Sequence, residues 1–291
     1  MYRDEIKGTK IKSFILPKAL YDLESVSKIL FDEDNCILHK KLSEDLINIE
    51  KLIVSHSIVY VVYGKVQVNT YDGDEITISN GEMLFMPRDS YLISDFITKN
   101  NGLEVFILFF NHEIVEKFLD GFHTNNTNKN TICKLTTTDN VKHYFNNIRQ
   151  MDFRNFNNSS LLEIKLLEFL HLVVDTQFKE TLFASEIGKQ RRNIEQLMLE
   201  HYDKNLSISD FASLSGRSLS TFNREFKQKY IKTPKQWLIE IKIHKAKKLL
   251  DEGLSVTDSA FEVGYQNVSH FIKAYKSIYD KTPKEMQKNQ F

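Results

Sequence analysis

One pattern occurs twice between Leu206 and Pro283. The first copy reads Ile208-Ser-Asp-Phe-Ala212, Gly216, Phe222-Asn-Arg-Glu-Phe-Lys227, Thr233-Pro234; the second reads Val256-Thr-Asp-Ser-Ala260, Gly264, Phe271-Ile-Lys-Ala-Tyr-Lys276, Thr282-Pro283. From alanine to glycine the copies stand 48 residues apart, but from phenylalanine to proline 49. One residue has been added just after Gly264. Two copies are too few to stack as a solenoid, so the segment is expected to fold as a duplicated small helical unit.

Each copy reads as helix, turn, helix. In the first (207–230), Ser207 or Ser209 can cap a short helix, and Gly216 marks a turn that needs positive φ or close helix approach. Ser218 then caps a second helix, whose Leu219, Phe222, Phe226 and Tyr230 recur at spacings of three and four and are expected to face the core. The opposite face offers Ser220, Thr221, Asn223, Arg224 and Lys227. That is the chemistry of a major-groove reader: arginine can grip guanine bidentately, asparagine adenine, and threonine can touch a thymine methyl. Serine and lysine suit phosphates, so Ser218 joins the candidates at the helix start. In the second copy (255–279) the outward candidates are Asn267, Ser269, His270, Lys273 and Lys276. A solvent-facing histidine is the plain alternative for His270. Lys273 takes the place of Arg224 and offers a point charge rather than a fork, so the second unit is expected to discriminate bases less sharply. A helix over 235–250, opened by Thr233-Pro234, joins the copies. Its sixteen residues span about 24 Å, and reading successive major grooves requires the two reading helices on the order of 34 Å apart.

Charge separates this region from the rest. Residues 189–291 hold 19 Lys+Arg against 12 Asp+Glu, while 1–188 hold 20 against 27. A basic C-terminal part suggests a polyanionic partner. Met1 to Lys12 alternates charge without an apolar core and does not read as a secretory signal. No apolar run approaches membrane-spanning length, so no membrane partner is expected. Cys36 and Cys133 lack a CxxC partner and read as reduced thiols of a cytoplasmic protein.

From Phe14 to Phe110 the chain reads as short strands. Ile58–Tyr63, Lys65–Tyr71, Glu75–Ser79, Glu82–Met86 and Leu103–Phe110 are separated by Gly64, Asp72-Gly73-Asp74, Asn80-Gly81 and Pro87, which is the pattern of an antiparallel sandwich or barrel. The order "Tyr-Val-Val-Tyr-Gly-Lys", then "Gly-Glu-Met-Leu-Phe-Met-Pro-Arg-Asp-Ser-Tyr", resembles the jelly-roll of the cupin superfamily. Catalytic cupins usually carry a His-x-His set for iron, manganese or zinc. Here His39, His56 and His112 are scattered and Tyr91 stands where a later histidine often falls. No metal, no cofactor and no catalytic residue is expected. The barrel interior can still hold a small molecule; Tyr60, Phe85, Tyr91 and Phe106 are the candidates to line such a pocket, with ordinary core packing as the alternative.

The polar stretch His123–Thr131 is expected to be mobile, and Asn155–Ser160 to end in helix-capping serines. Leu161–Val174 has an apolar arc broader than one packing face requires. Dimerisation through 160–175, by Leu162, Lys165, Leu166 and Phe169, is expected, against burial within one subunit. The division is therefore 1–120 barrel, 121–180 connecting helices, 181–190 linker and 191–291 helical domain. The fold class is α+β: an N-terminal cupin-like antiparallel β-barrel with connecting helices, then an all-α tandem helix-turn-helix domain.

The unit Leu206–Pro283, with its joining helix "Ile-Lys-Ile-His-Lys-Ala-Lys-Lys-Leu-Leu" and the longer second turn "Gly-Tyr-Gln-Asn-Val-Ser-His-Phe", resembles the DNA-binding domain of AraC-type bacterial transcription regulators. The match covers about 100 residues. Three positions depart from that pattern: Ile231 and Asp280 where a glycine is usual, and Lys273 where an arginine is usual. The N-terminal motifs, with "Leu-Leu-Glu-Ile-Lys-Leu-Leu", look most like a branch that includes activators of type III secretion, some governed by a protein antagonist rather than a small ligand. The resemblance implies a sequence-specific regulator, an activator, with double-stranded promoter DNA, RNA polymerase and a second copy of itself as partners, controlled through its N-terminal domain by a small-molecule effector or regulatory protein antagonist. It implies no enzyme. The alternatives are a metal-independent or degenerate cupin enzyme with an accessory DNA-binding domain, and an architectural DNA-binding protein.

Overall fold

The computed structural model describes residues 14–288 apart from 33–34, 71–72, 99–101, 124–130, 152–157, 174 and 192. The chain divides into two compact units, Met1–Gln190 and Arg191–Phe291.

The first unit is built on two sheets. Its strands are β1 (Phe14–Leu16), β2 (Val26–Phe31), β3 (Cys36–Leu42), β4 (Leu46–Ile53), β5 (His56–Tyr63), β6 (Lys65–Thr70), β7 (Glu75–Ser79), β8 (Met83–Met86), β9 (Ser90–Ile97) and β10 (Leu103–Phe110). A further strand, β11 (Cys133–Leu135), follows helix α1 (His112–Phe118). One sheet has the order β1-β4-β9-β6-β7 and the other β11-β8-β5-β10-β3-β2. All pairs are antiparallel except β1 with β4, which run parallel. Gly73, with φ +94°, lies in the turn between β6 and β7; Asp72 of the expected turn lies outside the described residues.

Side-chain alternation explains why β5 and β10 are apolar almost throughout. Val59, Val61, Leu84, Met86, Val105, Ile107 and Phe109 face the other sheet, packing with Val66, Val68, Ile78 and Leu92. Ile58, Tyr60, Met83, Phe85, Phe106, Leu108 and Phe110 face the opposite way into a second core. A strand buried on both faces has no polar side to show.

That second core is closed by helices α1, α2 (Asp139–Gln150), α3 (Asn158–Leu172) and α4 (Thr176–Arg191). Thr138 caps α2, whose Val141, Tyr144, Phe145 and Ile148 line one buried face. Phe145 stacks on Tyr60 at 4.3 Å and on Phe106 at 5.2 Å between ring centres. In α3, Leu162, Leu166 and Phe169 are fully buried in this same core. Their broad apolar arc is therefore spent within the subunit, which corrects the expected dimer face. Lys165 pairs with Glu168 at 2.8 Å, and Ile164, 60% exposed, is the apolar side chain that α3 leaves outward.

The segment 181–190, expected as a linker, lies inside α4. Phe178 and Leu182 are fully buried one helical turn apart. Arg88 donates to the Ser185 carbonyl at 2.9 Å, and the Ser185 hydroxyl meets His56 Nε2 at 3.3 Å. Residues 124–130 and 155–157 of the two polar stretches lie outside the described residues.

The second unit consists of α5 (Ile194–Glu200), α6 (Ile208–Ser215), α7 (Leu219–Tyr230), α8 (Pro234–Asp251), α9 (Val256–Glu262), α10 (Val268–Tyr279) and α11 (Pro283–Lys288). Among the described residues no helix is long and apolar enough to cross a membrane.

Candidate nucleic-acid interface

Helix α6 starts at a capping box. Asp210 N–H donates to Ser207 Oγ at 3.2 Å, and Ser207 N–H donates back to the Asp210 carboxylate at 2.7 Å. Gly216 ends the helix at φ 67°, and Arg217 N–H closes the turn on the Ala212 carbonyl at 2.9 Å. Ser218 then caps α7, accepting from Thr221 N–H at 3.3 Å. The second copy repeats this with one change. From Gly216 to the cap Ser218 is two residues, whereas from Gly264 to the cap Asn267 is three. Both reading helices are 12 residues long, so the added residue lies wholly in the turn. Gly264 meets both of the alternatives named for its counterpart Gly216. Its φ is +78°, and a Cβ there would stand 2.2 Å from the Asp203 carbonyl oxygen.

Phe222 and Phe226 of α7 and Phe271 and Tyr275 of α10 are buried. Leu219, expected inward, is instead 45% exposed at the first position of α7. Tyr230 is half-buried and packs with Phe226 and Trp237, at 4.6 and 6.2 Å between ring centres.

The predicted reading residues of α7 share one stripe. Ser220, Arg224 and Lys227 are exposed, and Thr221 and Asn223 are half-buried. The hydroxyls of Ser218, Ser220 and Thr221 cluster at the helix start, Ser218 Oγ lying 3.1 Å from Ser220 Oγ and 3.0 Å from Thr221 Oγ1. Ser218 is thus engaged in capping. On α10, Ser269, His270, Lys273 and Lys276 are exposed. Asn267 spends its amide oxygen as the cap, accepting from Ser269 and His270 N–H groups at 2.8 and 3.2 Å, and leaves its NH2 donors outward.

Charge pairing separates these faces from the rest of the unit. Arg217 pairs with Glu225 at 2.8 Å, Lys229 with Glu195 at 3.7 Å, Lys232 with Glu240 at 2.7 Å and Lys247 with Asp251 at 2.7 Å. Among the described residues Arg224, Lys227 and Lys273 make no ion pair. A cation free of carboxylates on an outward helix face is available to an external anion.

The two C-caps hold the left-handed conformation without glycine: Ile231 at φ 59° and Asp280 at φ 57°. Thr233 and Gln236 then form a capping box at the start of α8, and Thr282 accepts from Glu285 N–H at 3.3 Å at the start of α11. Helix α8 is 18 residues long, two more than expected. The residue that sequence reasoning missed is Lys242. It is buried on α8, its Nζ 3.4 Å from the Gly264 carbonyl, and burial pushes its pKa down to about 8 against the opposing pull of Asp203. Its place between Leu238 and Ala246, i and i+4 on the buried side, was the available signal.

The pocket candidates do not come together. Tyr60, Phe85 and Phe106 are buried in aromatic packing, Phe85 edge-on to Phe178 at 5.0 Å. Tyr91 belongs to the other sheet and donates to Glu50 at 2.7 Å. The histidines are also separate. His39 meets Glu104 at 2.8 Å, His56 accepts from Arg88 N–H at 3.3 Å, and His112 starts α1. No group of three or more His, Cys, Asp or Glu side chains among the described residues is placed to hold a metal ion.

Residues 211–289 match the family model of a helix-turn-helix domain, and residues 56–185 match that of the ExsA N-terminal regulatory domain. The C-terminal unit is an AraC-type helix-turn-helix domain. Among curated relatives, the HTH-type transcriptional regulator YbfI of Bacillus subtilis is 33% identical over 35% of this chain and 39% of its own length. The thermoregulatory protein LcrF of Yersinia pestis is 30% identical over 44% of this chain and 48% of its own. This chain thus spans less than half the length of either. The HTH-type transcriptional activator RhaS of an Enterobacter species is 26% identical over 80% of this chain and 84% of its own. These homologues are AraC-family regulators that join a helix-turn-helix domain to an N-terminal regulatory domain.

Proposed function

We propose that this chain is a sequence-specific transcription activator that lays α7 and α10 into successive major grooves of promoter DNA. The observation that carries this reading is the stripe Ser220, Asn223, Arg224 and Lys227, whose cations make no ion pair among the described residues while others in the unit are paired. Arg224 supplies a forked contact suited to guanine, and Asn223 suits adenine. Lys227 and Lys276 supply phosphate contacts. RNA polymerase is the second partner in this reading. The N-terminal unit carries the control, and a second copy of the chain is a further partner in this reading. The protein acts as a regulator rather than an enzyme.

Genome-wide mapping of bound sites tests this directly. A small set of promoters sharing one motif is expected; uniform occupancy would favour an architectural protein instead.

A further inference from the structure

The second unit holds two helix pairs, and contacts cross between them in both directions. The start of α8 reaches back to the first pair, where Trp237 lies 5.6 Å from Phe226 and 6.2 Å from Tyr230 between ring centres. The opposite contact comes from α5, which precedes the first copy of the repeat. The first turn of α5 is fastened to that copy: Glu195 accepts from the Tyr230 hydroxyl at 2.5 Å and pairs with Lys229 at 3.7 Å. Its far end leaves for the second copy. Tyr202, just past the C-cap His201, packs against the core of Ile243, Ala246, Val263, Phe271 and Tyr275. The Lys245 ammonium lies 5.8 Å from the centre of the Tyr202 ring. Burial raises the Tyr202 phenol above its ordinary pKa, and the carboxylates of Asp203 and of Glu262 at the end of α9 add to the effect. The Asp203 carbonyl then stands so close to Gly264, in the turn before α10, that no Cβ fits between them.

A single joining helix sets a distance between two modules. It leaves rotation to the short non-helical links at 231–233 and 252–255 that flank α8. A second point of contact removes that rotation. Along a duplex each base pair adds about 3.4 Å of rise and about 35° of turn. Two reading helices held at one distance and one angle therefore fit one half-site spacing. A pair that can pivot accepts neighbouring spacings and gives up affinity on the best one, because the lost freedom must be supplied on binding.

We propose that Tyr202 and Asp203 are positioning residues: by seating the end of α5 on the turn before α10, they fix the second reading helix relative to the first and so set the one half-site spacing that the protein accepts. Neither residue lies on a reading helix. The inference rests on the DNA reading of α7 and α10, and assigns their spacing to a contact outside both.

The test is selection of the full chain against a random-sequence duplex library, with the enriched duplexes sequenced. The best site is then titrated with one base pair inserted or removed between its halves. Wild type should enrich one spacing and lose about tenfold or more on either altered duplex. Tyr202→Ala should enrich the same half-sites at more than one spacing, with that loss reduced to about threefold or less. Gly264→Ala, which drives the Asp203 carbonyl off the turn, should widen the spacing in the same way, so either variant that folds decides. Gly253→Ala, strained at φ +95° but touching nothing, should keep the wild-type spacing. A merely structural part for Tyr202 would weaken all three duplexes alike and leave the spacing preference intact. That result, or a wild type that accepts all spacings equally, would overturn the proposal while leaving the DNA reading standing. A wild type that enriches no motif would overturn both.

Discussion

The Lys242 ammonium lies 3.4 Å from the carbonyl oxygen of Gly264 and 5.6 Å from the centre of the Tyr265 ring. The helix joining the two copies is thereby tied to the turn of the second. On its other side that turn presses against the Asp203 carbonyl, with no room for a Cβ. Gly264→Ala should therefore cost both left-handed strain, about 1–2 kcal/mol, and a backbone shift, together roughly 2 kcal/mol or more. Gly253→Ala is the control. Its φ is +95° with nothing within 4 Å, so only the strain is expected. Equal losses of stability for the two variants in denaturant unfolding would show that the close approach contributes nothing.

Lys242 also makes a pH prediction. Its pKa falls from an ordinary 10.5 to about 8 on folding. Between those values the unfolded chain binds the extra proton, so the contribution of Lys242 to stability rises with pH across that window. Wild-type protein should gain stability relative to Lys242→Met between pH 8 and about 10, with a flat difference below. A difference that stays constant across the window would place the amine in water.

Ile231 is a β-branched residue at φ 59°, 88% exposed. Left-handed backbone costs such a residue about 1–2 kcal/mol, and glycine returns less than that as added unfolded-state entropy. Ile231→Gly should stabilise the C-terminal unit by about 1 kcal/mol. Asp280→Gly should gain less, because aspartate tolerates this conformation. Melting temperatures of the two variants decide the point; a lower Tm for Ile231→Gly would contradict it.

Much of this architecture was legible in the chain. The repeat announced both helix pairs, and the one-residue offset located the longer turn, because caps and glycines are short-range signals. Strands β5 to β8 and β10 were legible from turn residues and alternation. What escaped was set by tertiary packing. The arc of Leu162, Leu166 and Phe169 looked like a subunit interface, yet the helices form a third layer on a sheet already covered on its other face. Residues 181–190 of α4 read as a linker because Ser185 and Gly188 dilute the helical pattern, while Phe178 and Leu182 carry the burial of the helix. The three-residue strand β11 pairs with β8 across a long sequence separation, which no local pattern reports. Lys40, Lys51 and Lys242 were hidden because a lysine at an inward position looks like any other lysine until the register is known.

Lys227 is exposed and makes no ion pair among the described residues. Lys227→Ala should weaken binding to all duplexes about equally and reduce the salt slope by about one charge. Affinities measured across a series of salt concentrations check this; an unchanged slope would remove Lys227 from the phosphate contacts.

The central claim is that α7 reads bases through Arg224. The most direct measurement is the affinity of wild type and Arg224→Ala for a mapped site, for the same site with each base pair changed in turn, and for scrambled DNA of equal length. The account predicts a loss of about 1–3 kcal/mol on the true site, relaxed preference at one base pair, and a much smaller change on scrambled DNA. An equal loss on specific and scrambled DNA, with preference unchanged at every base pair, would contradict it.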